Sequence, residues 1–336
     1  MSNSIVYDAN RQPRKLGTQI GSGGQGNVFI LHENPNIVVK VFDPNKLQKE
    51  GKELREKITT QIKMSDLIKE PYLTWPQIEV FDHQGKWVGY AMKRAQGEPL
   101  SKLAHAGLYL KSFPGIDRTG IVKILLNFLK TTKKLHERGI YIGDVNLGNV
   151  LADPKTYKTY LIDTDSYQVT SRSKIFRCPV GRPEMTPIEH HGQDFSSVTR
   201  TVESDLFSIA ILMFQCFMLG LHPYSQIGGG NPIENLRKGN FPYGKGNPAP
   251  GQEGALPSGP WYTIWSHLTF NVKSLFIRTL KNGVNDPSNR ASITEWERVL
   301  KRYYWAMDEG HNTKEIRPSH PKYSQDKSSQ SRSSSN

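Results

Sequence analysis

Residues His136 to Leu151, HERGIYIGDVNLGNVL, place Asp144 and Asn149 on one short loop, and the β-prone run TYLIDTD returns Asp163 shortly afterwards. A helix that feeds such a loop and then a hairpin can bring three oxygen-bearing side chains to one point. A magnesium-bound nucleotide is held in this way, because Mg²⁺ takes one or two protein oxygens and completes its shell with phosphates and water. Phosphoryl transfer needs that metal, a carboxylate facing the attacking hydroxyl and a cation on the phosphates. Asp144 is the candidate carboxylate, and Asn149 and Asp163 are the candidate metal ligands. Taken alone, D-x-x-x-x-N also describes an ordinary turn, since Asp and Asn bond readily to nearby backbone. The rest of the chain decides between the two.

Upstream, LGTQIGSGGQGNVFIL carries Gly21, Gly23 and Gly26 in G-x-G-x-x-G spacing, with Ser22, Gly24 and Gln25 between them and Val28 beyond. The run that follows is β-prone, whereas a dinucleotide fingerprint requires a helix there. A hairpin whose backbone amides approach phosphates fits the pattern. The next strand, IVVKVF, holds Lys40 among apolar neighbours, where an ammonium is costly unless it meets an anion. Phosphates and a glutamate would supply one. The helical spacing of Leu54, Ile58 and Ile62 predicts a helix over 46–69, and Glu56 on it is the candidate partner of Lys40. IEVFDHQGKWVGYAMKR reads as a hairpin turning near Gln84 and Gly85, which puts Met92 at the back of a pocket and offers Lys93 to Ala95 to a nucleotide base.

Composition narrows the class. The chain has 336 residues, a formal charge of +13 and two distant cysteines, Cys178 and Cys216. The basic residues are dispersed and no nucleic-acid motif is present, so no specific nucleic-acid partner is expected. Neither a disulfide framework nor a zinc ribbon is supported, and the polar N-terminus has no apolar leader. The run Leu206 to Leu221 is shorter than the roughly 18 residues that suggest a membrane span. A cytoplasmic protein without a membrane partner is the expectation. Residues 1–14 read as flexible, 15–307 as the folded part, and the serine-rich 311–336 as a disordered tail. The Gly- and Pro-rich 228–259 reads as a loop insertion, and 261–280 and 293–307 as helices.

In this order the motifs resemble the eukaryotic-like (Hanks-type) Ser/Thr protein kinases. LHERGIYIGDVNLGNVL looks like their catalytic loop and IDTD like their metal-binding D-F-G. GRPEMTPIE resembles the end of the activation segment, with Glu189 at the structural glutamate. The stretch from Ser204 to Tyr224 is similar to the large buried helix with its aspartate, here Asp205, and NDPSNRAS to the segment whose arginine, Arg290, pairs with that glutamate. The resemblance implies an α+β, two-lobed fold, with a small β-rich N-lobe (15–93, five strands and one main helix), a hinge near Lys93 to Gly97 and a larger, mainly helical C-lobe (98–307). It implies an enzyme that moves the γ-phosphate of ATP to Ser or Thr hydroxyls of a protein substrate, itself included, with Mg²⁺ or, alternatively, Mn²⁺. Lys40 would then hold the α- and β-phosphates.

Departures qualify what is carried over. Ile142 and Gly143 stand where the family places histidine and arginine, which removes the usual receptor for an activating phosphate and points to constitutive activity or control by a partner. Asn146 occupies the place of the lysine that neutralises the γ-phosphate, and is assigned there as a catalytic-site residue. Asp165, in D-T-D, is expected to face solvent or a local turn. D-x-N-x-x-N with D-T-D resembles the kinases of bacterial TerY-P triads, which implies a PP2C-type phosphatase and a von Willebrand-type protein as partners. Two alternatives stay open: a nucleotide-binding pseudokinase scaffold, and a small-molecule phosphotransferase of the aminoglycoside-kinase type, whose G-D-x-x-x-G-N loop GDVNLGNV also resembles.

Overall fold

The computed structural model describes residues 5–68, 70–171, 174–244 and 251–322, and it is α+β. Strands β1 (Ile5–Tyr7), β2 (Pro13–Gly23), β3 (Gly26–Leu31), β4 (Asn34–Phe42), β5 (Ile78–Phe81) and β6 (Trp87–Lys93) close into an antiparallel barrel in the order β1-β2-β3-β4-β6-β5. Helix α1 (Pro44–Ile68) leaves β4 and packs Leu47, Leu54, Ile58 and Ile62 on Val38, Phe42, Trp87, Tyr90 and Met92. The apolar stripe that predicts this helix is the one it buries.

Six strands stand where five were expected, because 1–14 is not all loose. Ile5–Tyr7 pairs with β2 and touches β5. The turn after it is fixed by Asp8 Oδ1, which accepts from the amides of Asn10 and Gln12 at 2.9 and 3.0 Å. Residues 1–4 lie outside the described residues.

The chain then forms β7 (Glu98–Pro99), α2 (Leu100–Leu103), α3 (Tyr109–Ser112) and the long α4 (Arg118–His136). Asp117 caps α4 by accepting from the Gly120 amide at 2.9 Å, and Lys133 and Lys134 stand in its last turn, where cations meet the helix dipole. Strands β8 (Val150–Ala152) and β9 (Thr159–Leu161) join β7 in a small sheet, and β10 (Val169–Thr170) pairs with β11 (Ile175–Phe176). Helix α5 (Val202–Phe217) is buried almost all round behind a Thr201/Ser204 capping box, and the chain continues through α6 (Pro232–Arg237), α7 (Trp261–Ser266), α8 (Phe270–Leu280) and α9 (Ile293–Asp308). The 228–259 insertion thus contains a helix; its residues 245–250 lie outside the described residues. The single helix read over 261–280 is two, broken at His267 to Thr269.

The tail expected to be disordered from 311 is folded as far as it is described. Buried Arg118 donates from Nη1 to the Tyr303 hydroxyl at 2.9 Å and from its amide to the Lys314 carbonyl at 2.9 Å. Ile316 is buried against the helices, and the Lys322 amide reaches Ser266 Oγ at 2.9 Å. Residues 323–336, with most of the expected serine-rich tail, lie outside the described residues.

His222, beyond α5, is buried with Nε2 at 2.8 Å from the Glu184 carbonyl, and desolvation lowers its pKa from 6.5 to about 4. An unfolded chain therefore binds one more proton than the folded one between those values. Stability is predicted to fall as pH drops below 6.5, by up to ~1.4 kcal/mol per unit from this residue. Urea unfolding at pH 7 and pH 5 checks this: His222→Gln should lose less stability across the interval than the parent chain.

Candidate active site

Pairing register brings the candidate residues of the barrel to one face. Val28, Lys40 and Tyr90 lie opposite one another across β3, β4 and β6, and Ile30, Val38 and Met92 form the next rung but one. Directly opposed residues share a sheet face and alternate residues return to it. Valine, lysine, valine and methionine therefore line the same wall of a cavity of ≈ 430 Å³ between the barrel and the helical part. Gly21, Ser22, Gly23, Gly24, Gln25 and Gly26 roof it, on the hairpin from β2 to β3. Gly26 is required there: φ is +150°, and a Cβ would stand 2.2 Å from the Val41 carbonyl oxygen. The strand that follows these glycines, not a helix, agrees with the exclusion of a dinucleotide fingerprint.

Met92, Arg94 and Ala95 line the far end of the cavity, with Leu151 and Ile162 below. Lys93, the exposed last residue of β6, is not among the lining residues, so of the expected trio Arg94 takes its place. One end is thus apolar, formed by Val38, Met92 and Leu151. The other is charged, formed by Lys40, Asp144 and Asp163.

The loop carrying Asp144 is suspended from α5. Buried Asp205 accepts from the amides of Ile142 and Gly143 at 2.7 and 2.9 Å and meets His136 Nε2 at 3.0 Å. The structure also gives a reason for the missing arginine. Gly143 has φ +72°, and a Cβ there would approach the Cys178 Cβ to 2.7 Å and the Arg200 Cγ to 3.3 Å. Gly143→Ala is predicted to destabilise the chain by more than ~1 kcal/mol, read as a lower urea midpoint at unchanged slope.

Asn149 Nδ2 donates to Asp144 Oδ2 at 3.1 Å and to its carbonyl at 3.1 Å, and the Ile162 amide donates to the Asn149 carbonyl at 3.0 Å. Asp144, Asn149 and Asp163 are therefore linked through one local network. Asp144 Oδ1 is buried without a hydrogen-bond partner among the described residues, an unsatisfied acceptor of the kind that catalytic groups retain. Asn146 differs from expectation. It is buried, its Oδ1 accepts from the Gly148 amide at 2.9 Å and its Nδ2 donates to the Asp144 carbonyl at 3.2 Å. Its side chain braces the loop and does not line the cavity.

The expected Lys40–Glu56 pair is absent. Glu56 is exposed and bonded to Lys174 at 2.9 Å, with Glu53 3.5 Å from the same ammonium. The residue α1 turns inward beside its apolar stripe is Lys57, whose Nζ donates to the carbonyls of Ser166 and Arg177 at 3.0 and 3.2 Å. Burial lowers its pKa to about 8. Lys40 instead meets Asp165 at 2.8 Å and Asp163 at 3.5 Å. Asp165 is thus not solvent-facing: a 3₁₀ turn, Thr164–Ser166, carries it inward, where the Tyr90 hydroxyl also donates to it at 2.9 Å.

Burial works against the Lys40 ammonium, but the Asp165 and Asp163 carboxylates outweigh it and raise its pKa. Asp163 holds a left-handed backbone conformation, φ +54°, a strained state of the kind that functional sites retain. Desolvation and the neighbouring Asp165 and Asp144 carboxylates raise its pKa despite Lys40. The one Lys40 ammonium thus faces two carboxylates, Asp165 and Asp163, and Asp144 lines the cavity with them. No cluster of three or more His, Cys, Asp or Glu side chains arranged for a metal occurs among the described residues. Asn149 with Asp163 would supply the one or two protein oxygens that Mg²⁺ accepts when phosphates provide the rest.

Segment 181–189 closes on Arg290 through Glu189. Arg290 Nη1 and Nη2 donate to Glu189 Oε1 and Oε2 at 2.6 and 2.9 Å, Nε donates to the Gly283 carbonyl at 2.8 Å, and the guanidinium stacks on Phe207. Among the described residues, no helix is long and apolar enough to cross a membrane.

No protein-family profile matches the chain. It is similar to a protein named Protein kinase YegI from Escherichia coli (strain K12), 26% identical over 310 residues, covering 89% of this chain and 46% of that one. It is also similar to the Protein kinase YegI of Escherichia coli O157:H7, 27% identical over 238 residues, covering 68% of this chain and 36% of that one. The chain spans less than half the length of these relatives. Together with the order of its motifs, this likeness supports a protein-kinase-like reading of the chain.

Proposed function

We propose that the chain is an ATP- and Mg²⁺-dependent protein kinase with the two-lobed kinase fold, the barrel and α1 as N-lobe and the helical part as C-lobe. The observation that carries the reading is that Lys40, Asp144 and Asp163 line one cavity together with the apolar side chains of Val38, Met92 and Leu151 and the glycine hairpin of 21–26. A nucleotide has the same polarity, an apolar base joined to an anionic chain. In this reading Asp144 accepts the proton of the attacking hydroxyl, Lys40 grips the α- and β-phosphates, and the amides of 21–26 cover them. Asn149 and Asp163 hold Mg²⁺, which would offset the phosphate charge; Mn²⁺ would suit the same oxygens.

Segment 181–189, the end of the activation segment in the family resemblance, supports a protein acceptor. Glu189 and Arg290 fix 181–189 against α5, which favours an extended protein substrate over an aminoglycoside. Ser or Thr specificity and self-phosphorylation are part of the proposal, as are a PP2C-type phosphatase and a von Willebrand-type protein as partners. A nucleotide-binding scaffold is the second reading, favoured by Asn146, a neutral residue where the family resemblance implies a lysine, whose side chain is spent on bonds within the loop. Incubation with γ-labelled ATP, Mg²⁺ and either a basic protein or kanamycin, followed by phosphoamino-acid analysis, separates these. The proposal expects phosphoserine or phosphothreonine. Labelled kanamycin would overturn the acceptor class.

A further inference from the structure

A buried ammonium needs an anion or a set of hydrogen-bond acceptors, and helix α1 gives Lys40 no carboxylate. Its inward position is taken by Lys57, itself a cation, while Glu53 and Glu56 both face Lys174 on the outside. The carboxylate arrives from Asp165, whose side chain is 1% exposed and places Oδ1 and Oδ2 at 2.9 and 2.8 Å from Lys40 Nζ.

The turn that presents Asp165 is anchored on three sides. Thr164 Oγ1 donates to the Thr74 carbonyl at 2.7 Å, Gln61 Nε2 donates to the Thr164 carbonyl at 2.7 Å, and Lys57 Nζ donates to the Ser166 carbonyl at 3.0 Å. The Tyr90 hydroxyl, opposite Lys40 in register, orients Oδ1. Helix α1 therefore grips the backbone of the turn, and the turn grips Lys40.

We propose that Asp165 is the positioning residue for Lys40, holding its ammonium at the phosphate end of the cavity in place of an ion pair between Lys40 and helix α1. This rests on the nucleotide reading of the cleft. It follows that the α1 carboxylates are dispensable for Lys40, and that α1 acts on it only through the turn.

The test uses the full chain with Asp165→Asn, Lys40→Ala, the double variant and Glu56→Ala. Without nucleotide, modification of Lys40 by acetic anhydride, read by mass spectrometry, should rise roughly tenfold in Asp165→Asn, the scale on which buried partners couple, and stay unchanged in Glu56→Ala. With Mg·ATP, KM and kcat are read separately. Asp165→Asn should reproduce much of the Lys40→Ala loss in kcat/KM, and the double variant should be no worse than Lys40→Ala alone. Additive losses, or a Glu56→Ala chain whose Lys40 becomes reactive, would overturn the proposal. Should Asp165→Asn fail to fold, Tyr90→Phe keeps the carboxylate and removes one of its anchors: its Lys40 should gain reactivity, and unchanged reactivity would count against the proposal. A parent chain that binds no ATP, yet shows the expected acetylation pattern, would refute the nucleotide reading and leave the Lys40–Asp165 assignment standing.

Discussion

Asp144→Asn is expected to lower phosphate transfer by ~10²–10⁴-fold, the range for removing a positioned general base, with nucleotide affinity nearly unchanged. The substitution keeps the shape of the side chain and an oxygen able to accept from Asn149 Nδ2, so the loop network should survive. What disappears is the charge on the oxygen that has no protein partner. Single-turnover transfer measured beside nucleotide binding by calorimetry separates the two effects. Loss of binding in step with transfer would mean that Asp144 serves the architecture of the loop and not the chemistry.

Glu189→Ala is expected to destabilise the fold by ~3 kcal/mol, the lower end of the cost of leaving a buried charge without its partner. The Arg290 side chain is fully buried, and Glu189 receives two of its charge-assisted hydrogen bonds. The carbonyls of Gly283 and Glu203 remain as partial compensation, which sets the expectation at that lower end. Arg290 also anchors 181–189 to α5, so activity on a protein acceptor should fall more than Mg·ATP binding. Urea unfolding at pH 7 measures the first effect, and acceptor kinetics the second.

Much of this site was legible because its information is local. Asp144, Asn149 and Asp163 sit on one loop-and-hairpin stretch, 144–163, and alternation along β4 alone places Val38 and Lys40 on one wall. Glu189 and Arg290 were legible only through the resemblance, since they lie far apart in the chain. The misassignments came from faces and long-range packing. Helical spacing identified Leu54, Ile58 and Ile62 as the buried stripe of α1 but did not say which flank met the Thr164–Ser166 turn, and that flank carries Lys57 and Gln61 rather than Glu56.

Asp165 could be located only once Tyr90 and Lys40 were known to face the same turn. Other signals were present and unread. Ile5–Tyr7 is a β-branched and aromatic triplet followed by Asp-Ala-Asn, an adequate strand and turn signal. Thr269 is a good helix-start residue in the middle of 261–280. The burial of Ile316 in the helical core had no local signal, because the segment around it is polar.

The central claim is that this cleft moves a γ-phosphate using Asp144, Lys40 and a metal held by Asn149 and Asp163. The most direct measurement follows label from γ-labelled ATP to protein hydroxyls by the purified chain, with and without Mg²⁺, beside Asp144→Asn and Lys40→Ala. The account predicts metal-dependent label on Ser or Thr that is lost in both variants. A chain that binds Mg·ATP tightly but transfers no phosphate to any protein, itself included, would contradict it.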